Sequence, residues 1–166
     1  MTKLYEANNH ILIDTDMLNP IEHSHMAAHM IVSLGGKIHV TSENEEYECQ
    51  GILIPSGASH VVDTRGERVL VFLYDNTTNV AMQIKRIQPL SEEICKEILG
   101  AYFKFCESAR NDTYRVFQNF VLQKTGLEAG RCSITDVRIL SEGRFSHLFR
   151  EQVGMTFAAY LIFVKV

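Results

Sequence analysis

The feature that most restricts the fold is a run of evenly spaced histidines. His23, His25 and His29 lie an even number of residues apart, and alternate residues of a β-strand share a face. One unbroken strand would place all three imidazoles on one side and Met30, Val32 and Leu34 on the other. Downstream, Gly51-Ile52-Leu53-Ile54 reads as a second short strand. The turn residues Pro55-Ser56-Gly57 after it would bring His60 into the same space. Neutral imidazole binds zinc, iron, copper and nickel. The four histidines are therefore a candidate site, either for a metal or for an organic ligand that needs polar anchors.

The rest of residues 1–85 also reads as short strands between turns. Ile11-Leu12-Ile13 is one, and Tyr47-Glu48-Cys49 resumes a strand after the polar loop Ser42 to Glu46. His29–Ser33 and Lys37–Thr41 flank Gly35-Gly36, which is a hairpin signal. His60 to Asp63 follows, then the turn Thr64-Arg65-Gly66. The apolar run Val69 to Tyr74 predicts a fully buried strand. Many short strands at close spacing point to a sandwich or barrel.

The character changes after Gln88-Pro89. Ser91 can cap a helix with Glu92 and Glu93 in its first turn, and Ile94, Ile98, Tyr102 and Phe105 recur at helical spacing. Asn111-Asp112 can cap a second helix carrying Tyr114, Phe117, Phe120 and Val121, which Gly126 would end. Each helix has one apolar stripe, which the barrel or a second copy of the chain could cover. Further on, Ser141 can cap a helix that buries Phe145, Leu148 and Phe149. Gly143, Arg144, Ser146, His147 and Arg150 form its other face, small, polar and positive enough for a major groove.

Composition is that of a globular protein: 46% hydrophobic and 22% charged over 166 residues. The net charge of -4 excludes a uniformly basic nucleic-acid coat. It hides an asymmetry, however: residues 1–85 carry 11 acidic and 5 basic side chains, residues 86–166 carry 9 and 11. The positive balance sits where a DNA contact would need it. The cysteines at 49, 95, 106 and 132 form no C-x-x-C pair, the N-terminus has no apolar signal core, and no run reaches the ~18 apolar residues of a membrane span. These features predict a reduced, cytoplasmic protein with buried thiols and no membrane contact.

Two family resemblances attach to these residues. The pattern H-x-H-x3-x-x6-G formed by His23, His25, His29 and Gly36, followed by Gly51, Pro55, Gly57 and His60, resembles the two motifs of the cupin β-barrel. It departs at His29, where cupins usually carry Glu or Gln. The resemblance implies that His23, His25, His29 and His60 are ligand-binding residues, with a divalent transition metal (Zn, Fe, Mn or Ni) as the implied cofactor where one is held. The run from Leu140 to Leu161, with Arg144-Phe145-Ser146-His147-Leu148-Phe149-Arg150, Gly154, Thr156-Phe157 and Tyr160-Leu161, resembles the recognition-helix region of AraC-type transcription regulators. That resemblance implies base-edge approach by Gly143, Ser146 and His147, with Arg144 and Arg150 at phosphates.

Together these imply a mixed fold: an N-terminal all-β cupin (double-stranded β-helix) barrel over 1–85, a helical pair for packing or dimerisation over 86–130, and a partial helix-turn-helix over 131–166. Only about ten residues separate Gly130 from Leu140, so the first helix of the motif is expected to be missing. A second unit is expected to be missing too, as in a truncated or internally deleted regulator. The function implied is a ligand-responsive DNA-binding regulator. Its partners would be double-stranded DNA, a small-molecule effector and a second copy of the chain. The alternatives are a metal-dependent cupin enzyme of dioxygenase or isomerase type, and a sensor remnant that no longer binds DNA. His10 and His39 fit neither motif, and surface or turn positions are expected for them.

Overall fold

A computed structural model describes residues 2–7, 10–16, 27–129 and 138–139. In chain order the elements are β1 (Lys3–Ala7), β2 (His10–Thr15), β3 (Ala28–Ser33), β4 (Ile38–Ser42), β5 (Glu45–Cys49), β6 (Gly51–Ile54), β7 (Val61–Asp63), β8 (Val69–Tyr74), α1 (Asn79–Gln83), β9 (Gln88–Leu90), α2 (Glu92–Glu107), α3 (Asn111–Thr125) and β10 (Arg138–Ile139).

The strands form two antiparallel sheets. The larger runs β10-β1-β2-β8-β3-β6-β9 and the smaller β5-β4-β7. From β3 to β8 the chain changes sheet at every connection except the β4–β5 hairpin. Strands that alternate between two facing antiparallel sheets in this order make a jelly roll, the architecture that cupins share with capsid and lectin domains. The expected β architecture of the N-terminal part is met, with two differences from an all-β unit over 1–85: α1 (Asn79–Gln83) is helical within it, and β9 and β10 join the larger sheet from beyond it.

Burial explains the strand sequences. In β2, β3 and β8 every residue is buried, because one face meets the smaller sheet and the other meets the helices. Such strands read as unbroken apolar runs rather than as alternation. β4 has a single buried face and alternates. Ile11, Ile13, Ile31, Ile52, Ile54, Val71 and Leu73 join Ile38, Val40 and Val62 in a core between the sheets. Leu12, Met30, Val32, Leu70 and Phe72 face the other way, into a second core with Ile98, Tyr102, Phe105, Tyr114, Phe117 and Val121. The helix pair thus lays its apolar stripes on the outside of the larger sheet.

Three expectations are corrected here. Gly35-Gly36 does not close a hairpin, because β3 pairs with β6 and β8 while β4 pairs with β5 and β7. Both faces of β3 are buried, which demands a central place in the larger sheet, and the glycines carry the chain across to the other sheet. A Cβ on Gly35 would lie 2.0 Å from Glu67 Oε2, the flexible end of a side chain in the β7–β8 loop, so the Glu67 carboxylate packs over the crossing. Phe120 is not part of the buried stripe of α3, which Gln118 (1% exposed) and Leu122 complete beside Tyr114, Phe117 and Val121, and Phe120 lies under Lys124 Nζ at 5.4 Å. The N-cap of α3 is Arg110, whose N–H donates to Thr113 Oγ1 at 2.9 Å, rather than Asn111-Asp112. Ser91 and Gly126 behave as expected. Ser91 Oγ accepts from the Ile94 N–H at 3.1 Å, and Gly126 closes α3 in the left-handed region at φ 74°.

Past the composition change at Gln88-Pro89, β9 continues the larger sheet by pairing with β6. Among the described residues no helix is long and apolar enough to cross a membrane.

Candidate functional site

The second histidine motif builds a short, defined structure. β6 ends at Ile54, and Pro55 has no N–H with which to extend the ladder. The Ala58 N–H donates to the Pro55 carbonyl at 3.3 Å, and Gly57 holds φ 76°. A positive φ at the third position of a turn is the mark of type II, which favours glycine there. The turn aims the Ala58 carbonyl at His60, whose Nδ1–H donates to it at 2.8 Å. A carbonyl can only accept, so in the neutral ring the proton sits on Nδ1 and Nε2 carries the lone pair.

The first motif contributes His29 through register. β3 is central, with His29 opposite Ile54 on one side and Leu73 on the other. His29 shares its face with Ala27 and Ile31, which belong to the core between the sheets, so its imidazole points inward. The sequence expectation that Met30, Val32 and Leu34 take the opposite face holds: Met30 and Val32 are in the helix-side core and Leu34 packs against it.

His29 and His60 are each 1% exposed, and their rings meet edge to face with centroids 5.1 Å apart. Two histidines 31 positions apart in the chain are thus brought to one buried point at the end of the barrel where the Pro55–His60 turn lies. His23 and His25, the other two members of the expected set, lie outside the described residues. So do Gly143, Arg144, Ser146, His147 and Arg150 of the expected DNA-reading helix.

Among the described residues no group of three or more His, Cys, Asp or Glu side chains is placed to hold a metal ion. His60 has the chemistry of a ligand: its Nδ1–H is donated to the Ala58 carbonyl, the usual way a protein orients a ligating histidine, which leaves the lone pair on Nε2.

The two histidines without a motif part company. His39 stays at the surface, where its Nδ1 meets Glu48 Oε1 at 2.7 Å. With Arg65, which bridges both Glu48 oxygens, it holds the Glu48 carboxyl below its ordinary range; the His39 contact is the larger cause. His10 corrects its expectation. It is 3% exposed, lies on the helix side of β2, and shares a 2.8 Å hydrogen bond with the Tyr114 hydroxyl of α3. Parity within β2 was the available signal, since His10, Leu12 and Asp14 share one face and Ile11 and Ile13 the other.

No protein-family model matches the chain, and no curated protein matches it. Among solved structures, it is similar to a conserved protein of unknown function from Streptococcus pyogenes (23% identity, TM-score 0.33, covering 39% of this chain and 61% of that one). It is also similar to a proposed ethanolamine utilization protein from Salmonella typhimurium (17% identity, TM-score 0.31, covering 39% and 55%). A third similar structure is a cupin-2 domain from Rhodospirillum rubrum (12% identity, TM-score 0.32, covering 60% and 76%). The chain therefore spans about three fifths and about half of the length of the first two.

Proposed function

We propose that this chain is the sensing part of a ligand-responsive regulator of AraC type, in which a small molecule enters a cupin-type barrel and is held at His29 and His60. The observation that carries the reading is the convergence of these two motif histidines at one buried point inside the jelly roll. The recognition-helix resemblance over 140–161 supplies the output, with Gly143, Arg144, Ser146, His147 and Arg150 as the DNA-facing set and a homodimer as the working form. Where the ligand includes a divalent transition metal, His29 and His60 would hold it, completed by His23 and His25. The metal would act there as a Lewis acid for an anionic or carbonyl group of the effector. The protein's own contribution is the Nδ1–Ala58 hydrogen bond, which fixes the tautomer and the direction of His60.

Two measurements test this. A thermal-shift screen of small carboxylates, sugars, amines and Zn2+, Fe2+, Mn2+ and Ni2+ is expected to give at least one stabilising ligand that His25→Ala/His60→Ala no longer answers. Hits that survive that substitution sink the histidine site. Fluorescence anisotropy on DNA flanking the chain's own gene is expected to show saturable binding that weakens steeply with salt, as phosphate neutralisation requires. Flat anisotropy from folded protein would leave the sensor and remove the DNA output. The enzyme alternative predicts product, which a turnover assay on the stabilising ligand would reveal.

A further inference from the structure

Strand β2 is a wall with a different role on each side. Ile11 and Ile13 line the core between the sheets, while His10, Leu12 and Asp14 face the helix pair. The two polar members of the helix side are almost fully buried, and each is tied to a different helix.

At one end, Asp14 has a side chain only 4% exposed. Its Oδ1 accepts from Arg68 Nε at 2.5 Å, its backbone carbonyl accepts from the same guanidinium at 3.1 Å, and its Oδ2 accepts from the Tyr102 hydroxyl of α2 at 2.5 Å. At the other end, His10 Nε2 meets the Tyr114 hydroxyl of α3 at 2.8 Å, with the two rings stacked 5.7 Å apart. Tyr74 of β8 sits opposite His10 in the ladder, and its hydroxyl accepts from Gln118 Nε2 of α3 at 2.6 Å. The two ends lie four residues apart on β2, or about 13 Å.

These contacts are out of place if the helices are simply an apolar cap. Burying a carboxylate, an imidazole and four polar partners in an interface that already holds Leu12, Phe72, Phe105 and Phe117 carries a desolvation cost that apolar side chains would avoid. Such polar contacts fix register rather than add much stability, since a shift of one helix by a fraction of a turn leaves them broken and buried.

We propose that these two polar bolts make the helix pair a registered reporter of strand β2, so that a displacement of β2 from the barrel interior is passed to α2 through Asp14–Tyr102 and to α3 through His10–Tyr114. The inference rests on the sensing half of the function proposed above. Its test uses neither DNA nor effector, so it can fail by itself.

The test is hydrogen exchange, read by mass spectrometry on the full chain. Tyr102→Phe and Tyr114→Phe each remove one hydroxyl and keep the ring, so packing is retained. Tyr102→Phe is expected to speed exchange across α2 about tenfold, and Tyr114→Phe to do the same across α3, with β3 and β8 changed less than twofold. Ile13→Val, which removes one methylene from the interior face of β2, is expected to speed exchange in α2 about threefold in the otherwise native chain, but to add nothing in the Tyr102→Phe background. Strands and helices accelerating together would mean that the hydroxyls serve global stability alone, and would overturn the proposal. An Ile13→Val effect on α2 that persists unchanged without the Tyr102 hydroxyl would overturn it too.

Discussion

Gly51 opens the second histidine motif, and its surroundings show what the glycine is for. A Cβ at this position would stand 2.6 Å from Cys95 Sγ in the first turns of α2, 3.3 Å from the Ile31 carbonyl and 3.3 Å from Leu90 Cδ1. Neither histidine is among these neighbours. Gly51→Ala therefore has to push α2 off the sheet or rotate a thiol that is completely buried. Overpacking of this kind costs about 1–3 kcal/mol, and 2 kcal/mol corresponds to a fall in Tm of about 4–8 °C for a chain of this size. Cys95→Ala alone vacates the volume of one sulfur and costs about 1 kcal/mol. In the double variant the new methyl fills the space that the sulfur left. Its stability is expected close to that of Cys95→Ala, giving a coupling of about 1–2 kcal/mol in the favourable direction. Thermal and urea unfolding of the four chains, followed by circular dichroism, closes the cycle. Additivity within about 0.5 kcal/mol would refute the reasoning, since the sulfur would not then be the obstacle and the motif glycine would have to serve the histidine pair.

Further outcomes follow from the same structure. Gly57 has open space where a Cβ would go but holds φ 76°, so Gly57→Ala should cost the left-handed penalty alone, about 1–2 kcal/mol by unfolding, and Gly57→Asn less. Burial raises the Cys49 thiol to about 11 and the Cys95 thiol to about 12, and pushes the Tyr74, Tyr102 and Tyr114 phenols upward. The folded chain thus keeps protons that the unfolded chain releases above about pH 9. Stability should be fully present below that pH and fall steadily from pH 9 to 12 in a series of urea titrations; a flat profile there would contradict the burial of these groups. At pH 8 iodoacetamide should label half-buried Cys106 well before Cys49 and Cys95, as peptide mapping would show. Equal labelling of all three would place the two thiols at the surface instead.

Much of the barrel could be read from residue order. The unbroken apolar run Val69–Tyr74 has no room for a wet face, and it is the strand joining β2 to β3. Ser91 and Gly126 carry their capping chemistry locally, so both ends were visible. Legibility failed where partners are distant in the chain. Gly35-Gly36 looks like a hairpin because the local signal is glycine next to glycine, whereas the pairing of β3 with β6 and β8 is decided by strands distant in the chain. His10 looks like a loop residue because its partner Tyr114 stands 104 positions away. The convergence of His29 and His60 was legible as a motif but not as geometry, because the 5.1 Å separation depends on the type II turn at Gly57 and on β3 lying between β6 and β8.

That placement bears on which function the site serves. His29 and Met30 are neighbours on one strand, the first facing the interior and the second facing Phe72 and the helix pair. Nothing but the thickness of a single sheet separates the histidine pair from the surface on which α2 and α3 rest. A ligand shifts a conformational equilibrium only by contacting its two states differently, and a wall that is close-packed on both faces cannot yield on one face alone. Under the proposed function, an occupant at His29 and His60 would press on the same sheet whose outer face carries α2 and α3, and the Asp14–Tyr102 and His10–Tyr114 contacts would pass that displacement to the helices.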